Sequence, residues 1–251
     1  MIVEDWDPET DRAKYTTWFH ITKENEVYFG ESAKNKRDIS IAEYNAGLVR
    51  INDADIFPET PTDVDLTIAP AHLNDVSAYI KQPGLIHYPS MKGTGQISRA
   101  VLDETLVMEQ ISKTPHPHIV KYHGCKVNRG RITGIVLERH NQTLMQYAAK
   151  SDISLAYPDL NRAKFMDALG SAVAYMHSLG LAHNDINPHN IMVRDGMPVL
   201  IDFDSCQPFG KHLQSAGTVG WCKEAFWTSE KEHDIYSLNK LQQWLREKYG
   251  D

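Results

Sequence analysis

Apolar residues follow two kinds of rhythm along this chain. Up to about residue 70 they form short runs between charged turns, over 15–21, 26–30 and 47–51, and these predict β-strands. A further strand is predicted over 77–81 and is halted by Pro83 and Gly84. The rhythm then lengthens. Val101, Met108 and Ile111 recur at helical spacing and predict a helix over 97–113. Glu104 falls on the same stripe, three residues after Val101 and four before Met108, so this acid sits at the stripe's edge or in a pair. Two strand-like segments follow at 119–122 and 132–137, separated by the turn residues Asn128, Arg129 and Gly130. Met166, Leu169, Val173 and Met176 predict a long helix over 160–179, with Gly180 placed to stop it. A short apolar strand is predicted at 197–201. The last helix opens at Ser229-Glu230-Lys231-Glu232, a capping-box pattern, and continues through Ile235, Leu238, Leu241 and Leu245. Strands come first and helices after, with a break at 138–141, so the pattern predicts an α+β layout in two lobes.

A chain of 251 residues can bury a sizeable core, as one large domain or two small lobes. Its net charge of −7 speaks against a general binder of nucleic acid or of anionic membrane, both of which need basic surface. No apolar stretch approaches the roughly 18 residues of a membrane span. The first residues are acidic and lack a signal-peptide core, so export is not expected. The three cysteines (Cys125, Cys206 and Cys222) are widely spaced and include no Cys-x-x-Cys pair. They predict neither a disulfide framework nor a zinc site, and a cytoplasmic or nuclear setting is expected.

The densest chemistry lies at residues 183–190, which read His-Asn-Asp-Ile-Asn-Pro-His-Asn, and at Asp202-Phe203-Asp204. Asn190 lies five residues beyond Asp185 and Asp202 seventeen beyond it. Phosphoryl transfer from ATP uses such a set: one carboxylate orients the attacking hydroxyl and takes its proton, while an amide and a second carboxylate hold Mg²⁺ on the phosphates. Asp185 alone could be a turn residue before Pro188; three groups in register favour a site. His183 is read as a support for the loop. The histidine-rich run 116–123 is marked by Pro115 and Pro117 as a turn before a strand rather than a metal site.

Three segments, TPHPHIVKYHGC at 114–125, HNDINPHNIM at 183–192 and IDFDSC at 201–206, resemble protein kinases, and the resemblance covers roughly 74–245. The pattern is similar to the compact protein kinase-like family abundant in filamentous fungi. It implies a β-rich N-lobe over 71–140 and a mainly helical C-lobe over 141–251 with a truncated end. Residues 1–70 would be part of the N-lobe or packed on it. It implies ATP and Mg²⁺ as cofactors, with Asp185 contacting the acceptor hydroxyl and Asn190 and Asp202 as metal ligands. Lys81 would hold the α/β-phosphates and pair with Glu104. Glu138 to His140 would form the hinge that meets adenine. Asn187 stands where serine/threonine kinases place a lysine on the γ-phosphate. Asp234 would brace the catalytic loop, and 217–221 would end an activation segment.

Departures from the family pattern leave the acceptor open. No Gly-x-Gly-x-x-Gly precedes Lys81, and Gly93-Thr94-Gly95 follows it. Lys92, with Ser90 nearby, is a rival for the phosphate role. Tyr79 stands where a small residue normally lies above adenine. Asn184 replaces the arginine that receives an activation-loop phosphate, and Asp204 replaces a glycine. Three functions remain in view: a kinase for Ser or Thr of a protein or peptide, a small-molecule kinase, and a nucleotide-binding pseudokinase. The second has its own resemblance, to choline kinases and aminoglycoside phosphotransferases, which also lack the residues replaced by Asn184, Asn187 and Asp204. The partners expected are ATP and a hydroxyl acceptor, with neither nucleic acid nor membrane.

Overall fold

The amino-terminal strands pair as an antiparallel meander: β1 (Ile2–Asp7), β2 (Arg12–Ile21), β3 (Val27–Ser32) and β4 (Val49–Arg50), in the order β1-β2-β3-β4. This is a computed structural model, and it describes residues 1–7, 9–10, 12–73, 76–150, 161–214 and 217–249. Register places Phe19 opposite Phe29 and Trp18 opposite Gly30. A Cβ at residue 30 would lie 2.3 Å from the Trp18 indole, so the glycine is what lets that ring lie flat on β3. The indole N–H donates to the Tyr44 carbonyl at 3.1 Å, on helix α1 (Ile41–Ala46). Ser40 and Glu43 form a capping box there. The Lys34 ammonium, then the Ser40 donors, pull the Glu43 carboxyl down to about 2.

Helix α2 (Asp53–Ile56) follows, then β5 (Ala78–Lys81), α3 (Tyr88–Met91) and α4 (Gln96–Ser112). Strands β6 (Tyr122–Asn128) and β7 (Arg131–Glu138) form a hairpin, in a three-stranded sheet of order β5-β7-β6. The remainder comprises α5 (Leu144–Lys150), α6 (Arg162–Ser178), β8 (Leu181–Ala182), β9 (Ile191–Arg194), β10 (Met197–Leu200), β11 (Gln207–Pro208) and α7 (Lys231–Tyr249). β9 pairs with β10 and β8 with β11, both antiparallel. Gly180, at φ +75°, occupies the left-handed position that ends α6.

Two compact units emerge. The first comprises Met1–Asp65, Lys81–Leu102 and Cys125–Gly134. Its core joins Phe19, Val27, Ile51, Ile56 and Phe57 to Leu85, Tyr88 and Ile97 from later in the chain. Arg129, at the hairpin tip, ties the unit together. Its guanidinium donates to Asp53 Oδ2 at 2.8 and 3.0 Å and also to the carbonyls of Glu24 and Asn25. The second unit comprises Leu66–Ile80, Asp103–Gly124 and Ile135–Asp251. Its core includes Met108 and Ile111 of α4, Phe165, Leu169 and Met176 of α6, Ile186, Phe203, and Leu241 of α7. This partition differs from contiguous ranges 1–70, 71–140 and 141–251, because α4 and the β6–β7 hairpin each contribute residues to both units.

The α+β expectation holds, with a β-rich first part and the long helices later. The segment 119–122 differs from its expected strand. Here Ile119 makes an isolated parallel bridge to Leu200, with Val120 N donating to Leu200 O and Leu200 N to His118 O, both at 2.9 Å. The strand proper starts at Tyr122, so the apolar pair at 119–120 reflects burial against β10. Leu160, the expected start of α6, lies outside the described residues. No helix among the described residues is long and apolar enough to cross a membrane.

Candidate active site

The loop between β8 and β9 is anchored by buried Ile186 within it and Ile191 at the start of β9, and its polar side chains bond to one another. Asp185 is the focus. Its Oδ2 accepts from Asn190 Nδ2 at 2.9 Å, and the same nitrogen donates to the Asp185 carbonyl at 2.9 Å. Its Oδ1 accepts from the Thr218 backbone N–H at 2.9 Å and from Asn187 Nδ2 at 3.2 Å. Both carboxylate oxygens are therefore held by N–H donors. Asn187 is buried, and its amide also donates to Thr218 Oγ1 and accepts from His189 N.

Beneath the loop lies Asp234 of α7, fully buried. Its oxygens accept from His183 N at 2.9 Å, Asn184 N at 2.8 Å and His177 Nε2 at 2.9 Å. Asn184 sits at φ +64°, a conformation asparagine tolerates better than most residues. Its Nδ2 donates to Ala182 O, Ser205 O and Ser229 Oγ, all within 3.0 Å. Ser229 in turn donates to Gln207 O. Asp234→Ala would strand three donors beneath the loop, at about 1–3 kcal/mol per unsatisfied buried group. We expect a loss of about 3 kcal/mol or more in chemical denaturation; an unchanged midpoint would show that the brace is dispensable.

The second loop is stitched to the first. Ile201 N donates to Asn190 O at 3.0 Å, and Ile201 O accepts from His183 Nε2 at 3.0 Å. His183 Nδ1 is left to face the Asp185 N–H at 3.4 Å. Asp202 follows at φ +65° and is half-buried. Phe203 N then donates to Glu104 Oε1 at 3.2 Å. Glu104, only 5% exposed, belongs to α4.

The segment after β7 is fastened to β5. Arg139 Nε donates to Ala78 O at 3.2 Å, and its guanidinium lies 6.0 Å from the centre of the exposed Tyr79 ring. Glu138 Oε2 is 3.4 Å from both His140 Nε2 and Arg194 Nη1. Lys81 ends β5, half-buried, and is counted in the first unit. The second unit thus brings together Asp185, Asn187, Asn190, Asp202 and Glu104, with Glu138 and His140 on a separate segment.

Burial holds His140 below the ordinary histidine range, with Glu138 pulling the other way and Arg194 adding to the lowering. Burial likewise lowers His116 and His123. These groups are neutral in the folded chain where the unfolded chain, near pH 6.5, begins to take up protons. Their contribution is complete above about pH 6.5 and is lost as the pH falls below it. The thermal midpoint is expected to drop between about pH 7 and pH 5.5; a rise over that interval would contradict the assignment.

Sequence reasoning placed Thr218 in the segment 217–221 but not at Asp185, because its contribution is chiefly a backbone N–H that any residue can offer. It also missed His177, whose helical spacing gave no sign that it meets Asp234. Cys206 is fully buried, and desolvation raises its thiol well above the ordinary range, as suits an inert core thiol.

A family model described as "Protein kinase domain" matches residues 87–238, more than half of the chain. The chain belongs to this family. The curated kinases it resembles include the serine/threonine-protein kinase/endoribonuclease IRE1 of Hypocrea jecorina, 31% identical over 125 residues, which is 42% of this chain and 10% of that protein. The serine/threonine-protein kinase PknG of Mycolicibacterium smegmatis is 27% identical over 154 residues, 60% of this chain and 19% of that protein. The probable serine/threonine-protein kinase mkcB of Dictyostelium discoideum is 31% identical over 98 residues, 39% of this chain and 13% of that protein. The matched part of this chain spans only 10% to 19% of the lengths of these relatives. A protein kinase domain implies the use of ATP and a divalent cation in general terms.

Proposed function

We propose that this protein kinase domain transfers the γ-phosphoryl group of ATP, taken as its Mg²⁺ complex, to a serine or threonine hydroxyl of a protein or peptide. One observation carries the reading. Both oxygens of Asp185 are oriented by donors from three directions, Asn190, Asn187 and the Thr218 backbone. A carboxylate fixed in this way is preorganised to receive a hydroxyl and take its proton. The names of the relatives, all serine/threonine kinases, support the acceptor class.

The donors suit a hard cation. Asn190 turns its amide nitrogen onto Asp185, which leaves its oxygen as the group to offer a metal, and Asp202 supplies a carboxylate. Among the described residues no three His, Cys, Asp or Glu side chains group as a metal site. That fits Mg²⁺, which commonly takes one or two protein ligands and completes its shell with phosphate oxygens and water. When bound, the cation would neutralise charge on the phosphates.

The chain's own residues do the rest. Asp185 orients the acceptor hydroxyl and holds its proton. Lys81 is the residue proposed for the α/β-phosphates, Glu104 supports the second loop through the Phe203 N–H, and the backbone of 138–140 is proposed to receive adenine. Asn187 offers a neutral amide where related enzymes carry a lysine, so cationic stabilisation of the transferring group falls to Lys81 and the metal.

The test is labelled ATP with Mg²⁺, offered with generic protein substrates and with a panel of amino-alcohols. Label on serine or threonine, including on the chain itself, supports the proposal. Label only on a small hydroxyl compound moves the chain to the small-molecule kinases. If ATP is neither bound nor turned over, and Asp202→Ala alters neither result, the catalytic reading fails in favour of a pseudokinase.

A further inference from the structure

Helix α4 carries a second glutamate, Glu109, about 1.4 turns beyond Glu104. Its two oxygens are both taken. Oε1 accepts from the Thr67 backbone N–H at 2.7 Å and from the Tyr122 hydroxyl at 2.8 Å, and Oε2 accepts from Thr67 Oγ1 at 2.9 Å. One threonine thus grips both ends of one carboxylate, while β6 holds it from the other side. The same short stretch of chain lies directly on β6. At Gly124, φ is +119°, and an added Cβ would meet Thr67 O at 2.4 Å, Ala69 N at 2.7 Å and the Ile68 carbonyl carbon at 2.9 Å. Only a glycine permits the crossing. The same end of α4 is also fastened to α6 and its C-cap, through Tyr175 Oη to Ile111 O at 3.0 Å and Gln110 Nε2 to Leu179 O at 3.1 Å.

We propose that residues 66–69 form an intramolecular strap that sets the rotation and height of α4, with Thr67 and Glu109 as positioning residues for Glu104. The bonds at Glu109 are charge-assisted and directional, so they add a constraint on rotation to the apolar packing of Val107, Met108 and Ile111. Glu104 rides on the same rigid rod and holds the Phe203 N–H, one residue from Asp202. A turn of α4 that breaks the grip at Glu109 also withdraws Glu104 from the second loop. The strap therefore supplies a constraint on this helix from within the chain. The catalytic part of this inference rests on the function proposed above; the mechanical part does not.

Thr67→Val is close in shape and removes the hydroxyl donor, and Thr67→Ser restores it. The readouts are amide hydrogen exchange along α4 and at Phe203, kcat and KM for ATP, and the thermal midpoint. Losing a hydrogen bond to a charged group is expected to raise exchange at Phe203 and over residues 104–109 about tenfold. We expect kcat to fall by a similar factor, with a smaller change in KM, and Thr67→Ser to return both to near wild type. Should Thr67→Val fold poorly, Glu109→Met gives the same reading, since it keeps the side chain's length and offers no acceptor to Thr67 or to the Tyr122 hydroxyl. Unchanged exchange at Phe203 in both variants overturns the strap. So does exchange that rises uniformly across the chain, which marks a general loss of stability. If exchange responds as expected while the wild-type chain transfers no phosphate, the strap stands and the proposed function falls.

Discussion

Asp185→Asn is expected to lower phosphoryl transfer by about a thousandfold or more while leaving ATP affinity nearly unchanged. The substitution keeps the volume and removes the base. It also places an amide NH₂ where a carboxylate oxygen now accepts from Asn190 or from Thr218, so one pair of donors would face each other. The loop loosens slightly as a result, and a thermal midpoint lowered by a few degrees would register that. Because the reading puts Asp185 on the acceptor hydroxyl and not on the nucleotide, KM for ATP should barely move. Single-turnover kinetics separates the chemical step from binding. Wild-type rates in this variant would remove Asp185 from the base role, and a large loss of ATP affinity would assign it to the nucleotide instead.

Removing residues 1–65 is expected to abolish cooperative folding of the first unit. Leu85, Tyr88 and Ile97 are buried against Phe19, Val27, Ile51, Ile56 and Phe57, so the deletion uncovers three large apolar side chains. At about 1.5–3 kcal/mol for each buried side chain, the loss is roughly 5–9 kcal/mol, comparable to the whole stability of a typical domain. The truncation also strips Arg129 of Asp53 and of the carbonyls of Glu24 and Asn25. Phe57→Ala is a gentler version of the same experiment, with an expected cost of about 3–5 kcal/mol. Urea unfolding reads both. A truncated chain that stays soluble with the full-length midpoint would mean that residues 1–65 are an appendage.

What the sequence disclosed depended on whether a residue's role lies in its side chain and in a regular spacing. Met108 and Ile111, and Leu169, Val173 and Met176, announced α4 and α6 because helical burial repeats every three to four residues. Asp185 and Asn190 were legible because their chemistry needs those side chains. Asn187 was legible only as a departure from a pattern; its bonds to Asp185 and Thr218 are a matter of three-dimensional placement. Strand β1 went unseen because Glu4, Asp5 and Asp7 mask any alternation, and its pairing with β2 is made by backbone groups. Residues 119–120 misled for the opposite reason: an apolar pair buried by a bridge looks like a strand. Thr67 and Glu109 lie 42 residues apart and share no local pattern, so nothing short of the folded chain connects them.

The discontinuous makeup of the first unit also bears on how the chain is made. Residues 1–65 leave the ribosome without Leu85, Tyr88 and Ile97, and without the Arg129 side chain that pins their turns. The unit is complete only once residue 134 has been added, roughly 70 residues later. At about 5–20 residues per second, the amino-terminal sheet waits several seconds with its apolar face uncovered. Through that interval its outer strand β1 presents three carboxylates along its length, which discourages a neighbouring nascent chain from pairing with it.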